Sequence, residues 1–284
     1  MKTNEVWVYI EQNDGKIADV SLELLGKGSE LAKTLGVETG ALLLGQGVDG
    51  LVDTLWHHGA DKVYVAQDPA LARYTTLPYA KVVCDLIREY GPQIALYGAT
   101  TTGRDLAPRI TSELKVGLTA DCTDLRIGDF TGKGKDGDAT FSNILYQIRP
   151  AFGGNIVATI VSPEHRPQMA TVREGVMKKR EPDTKRKGTR VDFPTAIPQE
   201  LVLTEIVKRV QHEKSVNLKG APVIVAGGMG VGSKESFALV KDLARTLGGE
   251  VGASRAAVDA GLIGKDHQIG QTGITVRPKL YVAV

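Results

Sequence analysis

Short apolar runs separated by helix-length patterns set the first constraint on this chain: VWVYI (6–10), ALLLG (41–45), KVYVAQ (62–67), IALYGA (94–99) and IVATIVS (156–162). Strands spaced by helices build βαβ units and a mostly parallel sheet with helices on both faces. The clearest helix lies before the fourth run. Tyr79, Val82, Val83, Leu86, Ile87 and Tyr90 repeat at helical spacing, and Gly91-Pro92 stops it. Cys84 sits beside that stripe and reads as a packed, inert side chain.

From Thr119 the spacing shortens. TADCTDLRI and ATFSNILYQIRP, joined by the turn GKGKDG, read as antiparallel strands that extend the sheet edge. The charged run KKREPDTKRKGTR (178–190) reads as a solvated connector. A second α/β unit starts at APVIVAGGMGVGSKESFALVKDLARTLGG. Ser233 caps its helix, Glu235 sits near the positive end, and Gly248-Gly249 terminate it. The reading is therefore an N-terminal α/β domain over 1–200, mostly parallel with antiparallel edge strands, and a partial α/β domain over 201–284.

Formal net charge is +2, which gives no nucleic-acid footprint. Two cysteines without a C-x-x-C argue against a disulfide scaffold or a zinc site. The N-terminus lacks a secretory apolar core, and no apolar run approaches the roughly 18 residues of a membrane span. A cytoplasmic location follows as an expectation.

Four stretches invite chemistry. Gly45-Gln46-Gly47-Val48-Asp49-Gly50 is a literal G-x-G-x-x-G between strand and helix, with Asp68 at the end of the next strand. It could hold a dinucleotide pyrophosphate and would make the chain an NAD-dependent oxidoreductase, or it could be a plain turn. Thr100 to Asp105 opens a helix with hydroxyls and Arg104, which suits an anion; a threonine cap and an Asp105–Arg109 pair explain the same residues. His57-His58 resembles a metal pair only superficially, because adjacent helix positions diverge. His165, His212 and His267 have no partners in sequence. The fourth stretch, VGASRAAVDAGLIGKDHQIGQTG (251–273), sets Arg255 among small residues and returns with a Gly-Gln-Thr-Gly turn. Small residues admit something bulky and flat, while Ser254, Arg255, Gln271 and Thr272 supply aimed polar groups, as in a cofactor pocket. A regulatory module that binds adenine nucleotides on the first domain is the non-redox reading.

The runs GASRAAVDAG, QIGQTG and V-x-PKLY, with GGxGVGSKE before them, resemble the signature of the α subunit of electron-transfer flavoproteins. YGATTTGRDLAPR and RPAFGGN extend the resemblance over nearly the whole chain. It implies FAD in the second domain and a β subunit docked on the first. It also implies electron transfer from a flavin dehydrogenase, such as an acyl-CoA dehydrogenase, to a downstream acceptor, without covalent catalysis. By the same resemblance the flavin contacts are Ser254 and Arg255, the loop of Gly228, Met229 and Gly230, and the segment Ile269, Gly270, Gln271 and Thr272. Some members bifurcate electrons through a second flavin on the β subunit, for which the ATTTGRD loop is the candidate contact. Met229 stands where the family usually has arginine. The family also continues past KLYVAV with a histidine near the flavin, so this chain is expected to be part of a longer protein and to bind FAD weakly by itself.

Overall fold

All five side chains of VWVYI are buried, and they alternate between two cores. Val6, Val8 and Ile10 join Leu43, Val63, Val65, Ile94 and Leu96 on one face of the sheet. Trp7 and Tyr9 join Leu42, Leu44, Tyr64, Ala95 and Tyr97 on the other. A period of two with apolar residues in both registers is what a parallel sheet covered on both faces requires.

The computed structural model describes residues 3–134, 137–151, 156–208, 216–270 and 272–284, in two compact units, Met1–Glu205 and Ile206–Val284. The larger unit contains, in chain order, β1 (Val6–Ile10), β2 (Gln12–Asn13), β3 (Lys16–Ile17), α1 (Asp19–Leu35), β4 (Thr39–Gly45), α2 (Val52–His57), β5 (Lys62–Gln67), α3 (Thr76–Tyr90) and β6 (Ile94–Gly98). It continues with α4 (Thr101–Leu114), β7 (Leu118–Cys122), β8 (Asp124–Gly134), β9 (Gly137–Ala151), β10 (Ile156–Ile160), β11 (Gln168–Val172) and β12 (Thr189–Asp192). Seven strands in the order β12-β5-β4-β1-β6-β11-β7 form one sheet, every neighbouring pair parallel. Helix α3 buries the expected stripe and ends on Gly91 in the left-handed region, at φ 58°.

One local expectation is corrected and another is refined. The antiparallel strands do not lengthen the parallel sheet: β8, β9 and β10 form a three-stranded sheet of their own, which takes in IVATI of the fifth apolar run. The edge of the parallel sheet is instead β7, paired with the fully buried β11, whose five residues QMATV are too short to stand out in sequence. The charged run is solvated, as expected, and it is also tied down. Arg186 pairs with Asp61, Arg190 with Asp49 and Asp192, and Lys179 with Asp19, so its charges tie it down while its end becomes the edge strand β12.

The smaller unit contains β13 (Val223–Gly227), α5 (Phe237–Thr246), β14 (Glu250–Ala253), α6 (Arg255–Asp259) and β15 (Leu280–Ala283). Its sheet order is β14-β13-β15, parallel throughout. Val225 and Ala253 pack on Phe237, Val240 and Ala244 of α5, and Ile224 and Ala226 pack on Val216, Leu218 and Ala221. Ser236, not Ser233, occupies the cap position of α5; the Ser233 hydroxyl accepts from the Ser236 amide at 3.1 Å. Among the described residues no helix is long and apolar enough to cross a membrane.

At the amino end of β1 the carboxylate of Glu5 is 1% exposed. Its Oε2 accepts from Trp7 Nε1 at 2.7 Å and from the Tyr64 hydroxyl at 2.8 Å, and its Oε1 meets Lys62 Nζ at 2.8 Å. Burial, and then the Glu5 charge, push the Tyr64 phenol far above its ordinary range, so it remains a donor. A buried charge of this kind is tolerated only while its partners are present. Glu5→Ala should therefore destabilise the fold by about 3–5 kcal/mol, read as a lower urea midpoint. Glu38→Ala, which removes the exposed second partner of Lys62, should cost under about 1 kcal/mol.

Candidate functional site

Parallel pairing brings the carboxyl ends of the strands in the smaller unit to one edge, the edge at which open α/β sheets hold ligands. Three backbone bonds stitch the loops there: Ser254 N to Gly227 O at 3.1 Å, Gly228 N to Val284 O at 2.8 Å, and Ile269 N to Ala253 O at 2.9 Å. Ser254 caps α6 by accepting from the Ala257 amide at 3.3 Å. The segment after Gln268 folds back tightly, with Gly273 N donating to Gly270 O at 3.1 Å and Gly270 at φ 119°. The side chain of Gln268 is buried and donates through Nε2 to Thr272 Oγ1 at 2.8 Å. Close approach depends on two missing side chains. A Cβ on Gly227 would lie 2.6 Å from the Phe237 ring, and one on Gly252 would overlap the end of Ile269.

Gly230 and Gly270 differ from those two, since a Cβ on either meets no atom within 4 Å. They border open space, and Met229, Ser254, Arg255 and Thr272 are exposed around them, with Gly228 and Ile269 half-buried. The polar groups on offer are a guanidinium and two hydroxyls beside glycine backbone. A flavin ring presents carbonyl oxygens and ring nitrogens that accept hydrogen bonds, so the donor set and the open glycine surface fit FAD. Arg255 is not the lone cation its small neighbours suggest: its Nε donates to Asp259 Oδ2 at 3.1 Å, one helical turn on. Gln271 lies outside the described residues, as do His212 and residues 152–155 of the RPAFGGN motif. The sequence reading passed over Asp259 and Gln268, although the four-residue spacing from each to its partner was legible.

Several polar groups of the candidates in the larger unit are engaged by their own chain. In the G-x-G-x-x-G turn, the buried Val48 side chain fills the niche over Gly45, and the Val48 amide donates to Gln67 Oε1 at 3.1 Å. Asp49 is held by Arg190 and Gln67, whose hydrogen bonds keep its carboxyl below the usual range. Asp68 caps the next turn through the Ala70 amide at 2.8 Å. A pyrophosphate would have to displace these contacts, which argues against the NAD reading even though Gly47 and Gly50 border open space.

At the start of α4 the Thr100 hydroxyl accepts from the Gly103 amide at 3.0 Å and donates to Glu11 at 2.5 Å. Arg104 lies 3.5 Å from Asp121, which Arg173 also grips. The expected Asp105–Arg109 pair does not form: Asp105 accepts from Tyr74 and Thr76, and Arg109 faces Glu113. His58 Nδ1 meets the Thr54 carbonyl at 2.8 Å, and His267 Nδ1 meets that of Val251 at 2.7 Å. Among the described residues no cluster of His, Cys, Asp and Glu could hold a metal ion.

A family model described as "Electron transfer flavoprotein domain" matches residues 6–198, and one described as "Electron transfer flavoprotein FAD-binding domain" matches residues 217–284. The electron transfer flavoprotein subunit alpha of Thermoanaerobacterium thermosaccharolyticum is 49% identical over 280 residues, 98% of this chain and 81% of that protein. The protein of the same name from Clostridium acetobutylicum is 48% identical over 281 residues, covering 98% and 80%. The acryloyl-CoA reductase electron transfer subunit beta of Anaerotignum propionicum is 42% identical over 298 residues, covering 99% and 81%.

Burial pushes the Cys84 thiol up to about 11 and the Cys122 thiol up to about 12. Thiolate is the reactive form. The native protein at pH 8 should therefore show no fast-reacting thiol toward an aromatic disulfide reagent, and both cysteines should react once denaturant is added.

Proposed function

The chain belongs to the electron transfer flavoprotein family as an α subunit, carrying electrons through FAD in a heterodimer with a β subunit, and from that premise we propose that the flavin lies on the carboxyl edge of β13 and β14. The observation that carries this reading is the open glycine surface at Gly230 and Gly270 with Ser254, Arg255 and Thr272 around it, inside the segment matched by the FAD-binding family. When bound, FAD accepts and releases electrons one or two at a time. The protein supplies position and field. Gly228, Met229 and Gly230 run beneath the dinucleotide, where the methionine adds apolar contact in place of a donor. Ser254 and Thr272 would offer hydroxyls to the ring, with Ile269 and Gly270 beside them. Arg255 places positive charge where the ring gains negative charge. At 4 Å such a pair is worth about 4 kcal/mol at a surface-like effective dielectric and about 1 kcal/mol in bulk water.

The larger unit, residues 1–200 of the domain reading, is the part that docks on the β subunit. Its antiparallel sheet supports this: Ile156 and Val157 on the outer strand β10 are 52% and 67% exposed, and apolar side chains at that exposure suit a covered surface. The electron donor is a flavin dehydrogenase such as an acyl-CoA dehydrogenase; the relative named as an electron transfer subunit of acryloyl-CoA reductase shares the CoA-ester partner class but serves an enzyme that takes electrons up. A downstream acceptor takes the electrons on, and the pair works in the cytoplasm.

Arg255→Ala in the co-expressed pair should lower the flavin midpoint potential and weaken FAD binding on the order of tenfold, the loss of one charge-assisted contact. Unchanged potential and affinity would remove Arg255 from the flavin site. Val157→Asp should weaken assembly with the β subunit in size-exclusion chromatography while leaving the melting temperature of the α subunit within a few degrees. Intact assembly would move the docking surface elsewhere.

A further inference from the structure

Helix α6 is built against its own electrostatics. Its first residue is Arg255, at the positive end of the backbone dipole, and its last is Asp259, at the negative end. A free helix favours the opposite order, in the termini and in an i, i+4 ion pair alike. The two side chains are 65% and 63% exposed, where an ion pair adds little to folding. Stability therefore gives no reason for a carboxylate at 259. Geometry does, because Asp259 Oδ2 takes the Nε–H of Arg255 at 3.1 Å. Nε is the inner nitrogen of the guanidinium. A carboxylate there restrains the plane of the group through its inner nitrogen and leaves the end-on pair of Nη donors unused by that contact.

We infer that Asp259 is a positioning residue for the flavin site: it clamps Arg255 through Nε so that the Nη fork faces the ring, and its negative charge trims the field the ring experiences. This rests on the assignment of Arg255 to the flavin made above. Two consequences separate. The clamp needs an acceptor oxygen at 259, whereas the trimming needs a charge. Asp259→Asn keeps the oxygen and loses the charge; Asp259→Ala loses both; Asp259→Glu keeps both on a longer arm.

The test uses the co-expressed α/β pair with FAD bound, spectroelectrochemical titration of the flavin and measurement of its dissociation constant. A negative charge opposes electron entry, so its removal raises the potential. Asp259→Asn should raise the first one-electron potential by a roughly tenfold shift in the equilibrium, about 59 mV for one electron, with FAD affinity unchanged within about twofold. Asp259→Ala should weaken FAD binding several-fold and lower the share of the one-electron form, and Asp259→Glu should restore both. In the FAD-free α subunit, the Arg255 Nε–H signal in a nitrogen-15 NMR spectrum should be protected from solvent exchange and lose that protection in Asp259→Ala. If the near-isosteric Asp259→Asn leaves the potential where it was, the inference is overturned. Arg255→Ala run in parallel divides the failures: a shift there without one in Asp259→Asn rejects the role of Asp259 alone, and no shift in either rejects the assignment of Arg255 as well.

Discussion

Backbone packed against backbone and core at the ends of β13 and β14 is the constraint from which the rest of the smaller unit follows. Gly252 lies under Ile269, and Gly227 lies under the ring of Phe237, in spaces that a Cβ would occupy. With those spaces empty, the 268–274 segment settles onto Ala253 through Ile269, and α5 packs onto the centre of the sheet. A side chain at either glycine would lift one of these elements. Thr272 would then leave its place, since its anchor, Gln268, is buried within the same fold-back. The placement of the polar groups at this edge thus depends on glycines packed beneath them.

The same attention to packing bears on the glycine turns of the larger unit. Three turns of the chain carry glycines and hydrogen-bonding groups at the carboxyl ends of parallel strands, and sequence pattern ranks them closely. Their difference lies in what has already consumed their donors. The Val48 amide, the Thr100 hydroxyl and the Arg104 guanidinium all face protein partners, namely Gln67, Glu11 and Asp121. Openness alone does not rank them, since a Cβ on Gly47 or Gly50 meets no atom within 4 Å, as on Gly230 or Gly270. What sets Gly230 and Gly270 apart is the exposed polar set of Ser254, Arg255 and Thr272 beside them. Where the surroundings are full, a glycine motif is a means of packing, as at Gly103, whose Cβ would overlap the Gly98 carbonyl.

Much of this was legible in the sequence where the signal is local. The alternation of VWVYI between two cores, the stripe of α3 with Gly91 at its end, and the loops at 228–230 and 254–255 all follow from spacing and residue type over a few positions. What escaped depends on distant partners. QMATV carries no length or alternation to mark it, and only its insertion between β6 and β7 makes it a central strand. TRVD sits in a charged run and becomes a strand because Arg186 and Arg190 find Asp61 and Asp49 more than a hundred residues away. IVATI was readable as a strand, but whether it joined the parallel sheet or the antiparallel one was not. That choice is made by its pairing with β9, in register from Ile156 opposite Ala151 to Ile160 opposite Gln147.

On the proposed placement of the flavin, the exposure of Arg255 decides how strongly its charge acts on the ring. Charge on a guanidinium acts on a neighbouring ring in inverse proportion to the effective dielectric, so the same geometry is worth about four times more at a protein-like value of 20 than in water. In the α subunit the side chain is 65% exposed, and its field would be spent largely on solvent. A flat cofactor laid over Gly230 and Gly270, as proposed above, would displace that solvent without moving the cation. On that reading Arg255 fixes the direction of the field and the cover over it sets the strength. A short helix that holds Arg255 by Asp259 is suited to this division, because an orientation fixed before the cofactor binds needs no rearrangement when the water leaves.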